Sequence, residues 1–295
     1  MLLLVLSSFL FGLSGPLAAY LVNDEDTLIF SFHFLLMLTL IQMPFLRGKW
    51  DEIKRFTLRK EYFLLIISGV IGTFLYWCEF SSLQVGLPIT HVTFLLLTVP
   101  AWTLLYEYLR GRGSQLNLNK WVLALIGSSI LIAPNAKGQF SIGYLLPIFT
   151  SLLTAAWIIY SKKGQEAGIS PIVYSFFNDL FSMIGVLGFI FINGRSHALS
   201  VPDNIGNIFL YAGIIGVLPN LLLFYGLRAT GVVAASTIIM LEPVMSGFLS
   251  VMIHDERMGL HFFIGAVFIF MSNIPEQLMV YVRKVRVIYA SITSR

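Results

Sequence analysis

Ten stretches of the chain run for about 20 residues with almost no charge: 1–21, 27–46, 62–82, 87–109, 119–135, 140–160, 171–193, 206–227, 230–252 and 259–282. Each is long enough to cross the roughly 30 Å hydrocarbon core of a bilayer as a helix. Hydrocarbon offers no partner to a backbone amide, so such segments satisfy their hydrogen bonds internally as helices or close into a barrel. These are too long and too continuously apolar for the alternating strands of a barrel. The pattern therefore predicts an all-α polytopic membrane protein of ten transmembrane helices. Its longest connection, 47–61, leaves no room for a soluble domain.

Composition excludes the main alternatives. Apolar residues make up 57% of the 295 and charged residues 12%, about half the ~25% of soluble domains, which rules out a water-soluble fold. The net charge of +4 is spread over 19 basic and 15 acidic groups without a basic run, so no nucleic-acid partner is expected. Cys78 is the only cysteine; it has no disulfide partner in the chain and no metal-ligand spacing around it. No cofactor or metal motif is present. Pro16-Leu17-Ala18-Ala19 follows an apolar N-terminus, yet no Lys or Arg precedes it as a signal peptide requires, so the first stretch is read as a retained span.

Ten spans put both termini on one side, and placing that side in the cytoplasm sorts the charges. Sixteen of the 19 Lys and Arg then lie inside, leaving Lys137, Arg195 and Arg257 outside, where the first loop is the acidic trio Asp24, Glu25, Asp26. This is the bias expected of cytoplasmic loops. The halves also repeat. Phe80-Ser-Ser-Leu83 corresponds to Phe224-Tyr-Gly-Leu227 at an offset of 144, and Pro100 to Pro243 at 143. A five-helix unit written twice places its second copy upside down, giving two inverted five-helix repeats, 1–135 and 140–283, ahead of a basic tail, 284–295. Two halves of opposite orientation can present one midplane site to either side by rocking, which is the logic of alternating access. Pro100 and Pro243 are the hinge candidates of that motion.

The residues Tyr225-Gly-Leu-Arg-Ala-Thr-Gly-Val-Val-Ala-Ala-Ser, Leu241-Glu242-Pro243-Val244 and, thirteen residues after the proline, Glu256 resemble the end of the second repeat in the EamA-type drug/metabolite transporter superfamily. The five-plus-five plan extends the resemblance over nearly the whole chain; in the first half the position of the glutamate is Gly113. The resemblance implies a compact helical transporter in the inner membrane of a prokaryote, with a central cavity between the repeats. Its fifth and tenth helices would be peripheral and open to homodimer contact. Substrates would be metabolites such as amino acids, amines and nucleosides.

Ionisable residues inside a span cost at least ~2.5–3.5 kcal/mol each on the insertion scale and are functional candidates by default. The spans hold Glu79, Asp179 and Glu242 with His33 and His91, and no Lys or Arg at depth. That imbalance disfavours anionic substrates, which need a guanidinium or ammonium clamp. Asp179 lies about 13 Å into the seventh span, near the midplane, and reads as a substrate, cation or proton site or as a hydrogen-bonded structural carboxyl. Glu242 coincides with the kink expected at Pro243, and reads as a cavity residue or as a cap in a broken helix. Glu79 could snorkel to the interface. His91 lies at a similar depth and could relay protons with it, while His33 fits coupling or packing. Tyr76, Trp77, Phe80, Trp102, Trp157 and Tyr225 are the aromatic candidates for stacking on a flat ligand or holding a cation over a ring. Together with Glu79, His91, Asp179 and Glu242 they form the expected substrate site, with Asp179, His33 and His91 as coupling candidates.

The expected function is secondary transport of an amine-bearing or cationic small metabolite, an amino acid or a molecule like S-adenosylmethionine, with proton coupling and exchange both open as the driving step. Export of nucleosides or hydrophobic drugs stays open. A channel or an intramembrane enzyme is less favoured, because the chain has neither a filter nor H-E-x-x-H nor a Cys-His arrangement at depth.

Overall fold

The computed structural model describes residues 1–22, 26–57, 61–111, 115–132, 142–195, 199, 201–254 and 259–272, all of them in helices, turns and connections with no strand. In chain order its helices are α1 (Leu2–Phe11), α2 (Ser14–Val22), α3 (Thr27–Gln42), α4 (Trp50–Thr57), α5 (Tyr62–Gln84), α6 (Ile89–Leu96), α7 (Val99–Leu109) and α8 (Gln115–Ile132). The rest are α9 (Leu145–Glu166), α10 (Pro171–Ile192), α11 (Ile205–Tyr211), α12 (Leu218–Arg228), α13 (Val232–Ile239), α14 (Leu241–His254) and α15 (Leu260–Ser272).

Among the described residues, eight segments are long and apolar enough to cross a membrane: Leu2–Val22, Thr27–Leu46, Tyr62–Gln84, Ile89–Leu109, Leu145–Glu166, Pro171–Ile192, Ile205–Arg228 and Val232–Ile253. They fall on eight of the ten stretches expected. At the fifth and tenth stand α8 and α15, whose stretches run on into 133–135 and 273–282, outside the described residues. Asp24, Glu25, Gly113, Lys137, Glu256, Arg257 and the tail 284–295 lie outside them too. The sixth expected stretch, 140–160, is displaced: the helix there is Leu145–Glu166. Its two lysines prolong it instead of ending it. Lys162 keeps its stem against the protein while Nζ donates to the Leu227 carbonyl at 2.8 Å, and Lys163 sits 4.5 Å from the Tyr160 ring centroid, so the helix runs on to Glu166.

Four of the crossing segments are interrupted. Breaks separate α1 from α2 at Gly12–Leu13, α6 from α7 at Leu97–Thr98, and α13 from α14 at Met240, and a π-helical turn, Ala212–Val217, joins α11 to α12. Pro100, Pro219 and Pro243 explain three of these, since a proline cannot donate to the carbonyl four residues before it. Hydroxyls absorb part of the disruption. Ser7 donates to the Pro219 carbonyl at 2.8 Å, Ser8 to that of Ile238 at 3.2 Å and Thr98 to that of Leu95 at 2.7 Å.

Small residues set how closely the helices approach, as they do where lipid removes the hydrophobic drive for helix association. α5 lies against α10 with Gly69 under Phe181, Gly72 under Ser182 and Gly185 over Thr73; none of the three glycines has room for a Cβ. Ser182 Oγ donates to the Gly69 carbonyl at 3.1 Å across this interface. α9 covers the other side of α5, and α3 packs on α10. α1 lies against α12 and α14, while α8 and α15 pair with one another and join the bundle through α6 and α7. The α8–α15 approach is set by Gly127, which abuts the Gly265 carbonyl and Ile269.

At one end of the bundle the connections carry the Asp26–Arg195 ion pair. At the other, the short helix α4 buries Ile53 and Phe56 against the core that holds Ile169 and Ile172, and Glu52 accepts the backbone N–H of Ser170, the residue that starts α10, at 2.6 Å. Burial raises the Glu52 carboxyl, but its hydrogen bonds with Ser170 and its pairing with Lys49 at 3.3 Å outweigh that and hold it below its ordinary 4.5. A carboxyl held low contributes stability that is complete above its unfolded value and disappears as pH falls through the folded one. Wild type should therefore exceed Glu52→Gln by about 1 kcal/mol at pH 7, with the gap closing below about pH 4.5. Thermal unfolding of both proteins in detergent measures this; a gap that stays constant down to about pH 3.5 excludes the carboxylate cap.

Candidate functional site

The breaks gather around one central cavity of about 100 Å³. Seven of the eight crossing segments reach its wall, α10 being the exception. Residues flanking every break line it: Phe11 and Ser14 at the first, Leu96 and Val99 at the second, Ile215 and Gly216 in the π turn, and Ile239, Met240 and Glu242 at the last. The carbonyls that Pro100, Pro219 and Pro243 cannot serve belong to Leu96, Ile215 and Ile239, all in this wall. Irregular backbone at membrane depth is tolerated where it lines a cavity, and this is where the structure has it.

The wall is mostly apolar and aromatic. Phe34, Tyr76 and Phe80 form one corner, with Phe34 and Phe80 edge to face at 5.7 Å between centroids and Tyr211 tilted over Phe34 at 5.2 Å. Across the cavity stands Trp157, 5.4 Å from Phe224 behind it. Among this surface sit two acids, Glu79 from α5 and Glu242 from α14. Among the described residues, neither carboxylate has a Lys, Arg or His partner or a protein hydrogen bond, and none that lines the cavity is basic. Ser236, Thr150, Thr154 and Asn220 supply the neutral polar groups. A second compartment of about 20 Å³ adjoins the first and shares Ser14, Glu79, Leu96, Glu242 and Pro243 with it, so the two acids stand at the neck between them.

Of the residues expected to bind substrate, the structure brings together Tyr76, Glu79, Phe80, Trp157 and Glu242 in this wall, with Pro243 beside them. It places the others elsewhere. Trp77 and Tyr225 face outward from the bundle, 36% and 48% exposed, because each lies one residue along its helix from an inward position. Trp102 packs on Trp121 at 5.8 Å and donates Nε1 to Ser151 at 2.9 Å. Pro100 is buried behind Val99. His91 does not meet Glu79: its Nδ1 shares a hydrogen bond with the Tyr144 hydroxyl at 2.9 Å and its ring stacks on Phe262 at 5.8 Å. His33 is held by the Ile29 carbonyl at 2.9 Å, one turn back on its own helix.

Asp179 is fully buried but outside the cavity. Its Oδ2 accepts from Gln42 Nε2 at 2.6 Å and its Oδ1 from Asn178 Nδ2 at 3.0 Å. Asn178 Oδ1 in turn accepts from Ser68 Oγ at 2.5 Å and from Trp157 Nε1 at 3.0 Å. The expectation that Asp179 is itself part of the substrate site is corrected: the carboxyl stands behind the wall. Asn178 and Asp179 have Cβ atoms that diverge by about 100°, but two short flexible side chains bend together over that angle. Asp179 is thus linked to the cavity wall through Asn178 and the indole of Trp157. Gln42, Asn178 and Asn220 are residues of the site that charge alone does not single out; the signal available in the sequence was a carboxamide inside an otherwise apolar span.

A bundle of apolar crossing helices, broken around a shared internal cavity, defines a multi-pass membrane protein. The sequence pattern of the EamA-like transporter family matches residues 1–132 and again 141–274, and the chain belongs to that family, part of the drug/metabolite transporter superfamily. An uncharacterized transporter of Clostridium kluyveri is 28% identical over 186 residues, covering 60% of this chain and 58% of that protein, so the match spans less than two thirds of the relative. A solved crystal structure, described only as that of a protein, superposes with a TM-score of 0.62 at 16% identity over 94% of this chain and 96% of its own, a likeness of fold. Family and relative point to a transporter and away from an enzyme.

Proposed function

We propose that the protein is a secondary transporter that carries an amine-bearing or cationic small metabolite by alternating access through the central cavity. The observation that carries this reading is the pair Glu79 and Glu242, two carboxylates in an aromatic wall without a compensating base. A buried carboxylate without a partner is costly, and a ligand ammonium is the group that relieves it, while the rings of Tyr76, Phe80 and Trp157 favour a flat or greasy remainder. An amino-acid substrate would present its own carboxylate to hydroxyls such as Ser236, which already bonds Thr103 at 3.0 Å. Thr93, the other hydroxyl suited to that role, lines the smaller compartment.

The two family matches support reading the chain as two repeats. The breaks before Pro100 and Pro243 fall at corresponding places in them and suit hinges on which the halves rock. Among the described residues the α8–α15 pair contributes none to the cavity wall, and it is the surface offered for a homodimer. Saturable counterflow of a labelled aromatic amine in sealed proteoliposomes is the expected behaviour. Linear, non-exchanging flux would mean a channel, and preferential uptake of a phosphate ester would overturn the substrate class.

The charge bias favours placing both termini and the 47–61 connection in the cytoplasm. The pairing of Asp26 with Arg195 puts the first and seventh connections at one end of the bundle, as the six crossings between them require in either orientation. A cysteine replacing Ser196 should react with an impermeant reagent from outside; reaction only from the cytoplasm refutes the orientation.

A further inference from the structure

The hydrogen bonds of the cavity wall run in a direction that bears on its ligand. A hydroxyl has one proton and two lone pairs, and a carbonyl only accepts, so a hydroxyl bonded to a carbonyl turns its proton away and leaves lone pairs for the cavity. Thr150 donates to the Leu146 carbonyl at 2.9 Å, Thr154 to that of Thr150 at 2.8 Å and Tyr211 to that of Ser14 at 3.2 Å. The Trp157 indole N–H is spent on Asn178 behind the wall, at 3.0 Å. The two hydroxyls that an amino-acid carboxylate would use are committed as well. Ser236 donates to the Val233 carbonyl at 2.9 Å, and the Thr103 hydroxyl it meets at 3.0 Å has its own proton on the Pro100 carbonyl at 2.8 Å. Thr93 donates to the Thr90 carbonyl at 3.1 Å.

Among the described residues of the wall, the donors left are the Ser14 and Tyr76 hydroxyls and the Asn220 amide, and Asn220 is already engaged with Tyr76. Acceptors are plentiful. Beside the Glu79 and Glu242 carboxylates stand the carbonyls of Leu96, Ile215 and Ile239, whose ordinary donor four residues on is replaced by a proline.

We infer that the cavity selects an organic ammonium without a carboxylate, the molecule left when an amino acid loses its carboxyl group, and rejects amino acids themselves. This rests on the proposed reading of the cavity as an amine site and narrows it. An ammonium brings three N–H donors and no acceptor, so it uses the lone pairs of the wall as they stand. A carboxylate would bring acceptors to acceptors, next to two acids of its own sign, and would have to break the bonds of Ser236, Thr93 or their neighbours to be satisfied. A charge desolvated without partners is costly, and such a repulsive element is what makes a site discriminate.

The experiment compares four ligands of one skeleton on the purified full chain at pH 7 by titrated thermal shift: phenethylamine, phenylalaninol, phenylalanine and 3-phenylpropionate. Phenethylamine and phenylalaninol are expected to bind within about tenfold of one another, phenylalanine at least about a hundredfold more weakly than phenylalaninol, and 3-phenylpropionate not at all. Glu242→Gln and Glu79→Gln each remove a like charge and add an N–H donor, and each should shrink the phenylalaninol-to-phenylalanine ratio by about tenfold. Phenylalanine binding as well as phenylalaninol overturns the inference and spares the amine reading, since both carry the ammonium. Tight phenethylamine beside equally weak phenylalaninol and phenylalanine overturns it too, because bulk at that carbon would then be what is refused. A ratio unchanged in both variants places the discrimination outside this cavity and refutes it. Binding of 3-phenylpropionate as tight as that of phenethylamine, or binding of none of the four, refutes the amine reading itself.

Discussion

Glu242→Gln and Glu79→Gln are each expected to weaken binding of a cationic amine by about tenfold to a hundredfold, while a neutral nucleoside of similar shape changes little. A hydrogen bond to a charged group is worth about 1.5–3 kcal/mol, and each ~1.4 kcal/mol is a factor of ten. The environment favours the full effect, since among the described residues no Lys, Arg or His lines the cavity to take the place of the lost charge pairing. The glutamine replacements keep size and shape, so the aromatic wall of Tyr76, Phe80 and Trp157 stays as it is, and the neutral ligand reports on that wall alone. Ligand-induced thermal shifts across an amine and nucleoside pair measure the difference. Equal losses for both ligands would show that the acids hold the cavity together and do not read its ligand's charge.

Asp179 should behave differently, and its two substitutions should separate sharply. Asp179→Ala leaves the Gln42 and Asn178 amide donors buried without an acceptor, at about 1–3 kcal/mol each, and it frees Asn178 to release the Trp157 indole. A large fall in Tm and a weakened substrate response are expected. Asp179→Asn should be mild. Gln42 Oε1 has no partner among the described residues, so Gln42 can turn its amide over and accept from the amide nitrogen introduced by the substitution, while the remaining carbonyl oxygen keeps the bond from Asn178. The Asp179→Asn variant should keep its Tm within a few degrees of wild type and transport with an unaltered pH profile across the neutral range. If it folds but loses transport, the charge itself is used, and Asp179 returns as the coupling group that its depth in the span first suggested.

The chain's apolar runs were enough to locate its crossing segments, because length and hydrophobicity decide whether a helix stays in hydrocarbon and neither depends on neighbours. Among the described residues eight crossing segments fall on stretches that were read, and the one that is displaced, Leu145–Glu166, is a case in which lysine stems prolong a helix past its apolar run. Pro100 and Pro243 announced two of the four breaks for a similarly local reason; the break at Gly12–Leu13 and the π turn before Pro219 were not read from the sequence. The acids were legible as residues of consequence but not as members of one site. Glu79 and Glu242 share the cavity, whereas Asp179 faces a wall of amides and hydroxyls behind it, and sequence assigns all three the same depth-dependent penalty.

What separates them is the rotation of each helix about its axis. That rotation is set by contacts such as Gly69 under Phe181 and Gly72 under Ser182, which press α5 against α10 and turn Asn178 and Asp179 toward Ser68 and Gln42. A single residue's step of about 100° then decides whether Trp77 or its neighbour Tyr76 sees the cavity. Composition and apolar length therefore determined where the chain crosses and that its buried charge is negative. Only the packing of small residues between helices decided which of those charges a bound molecule would meet.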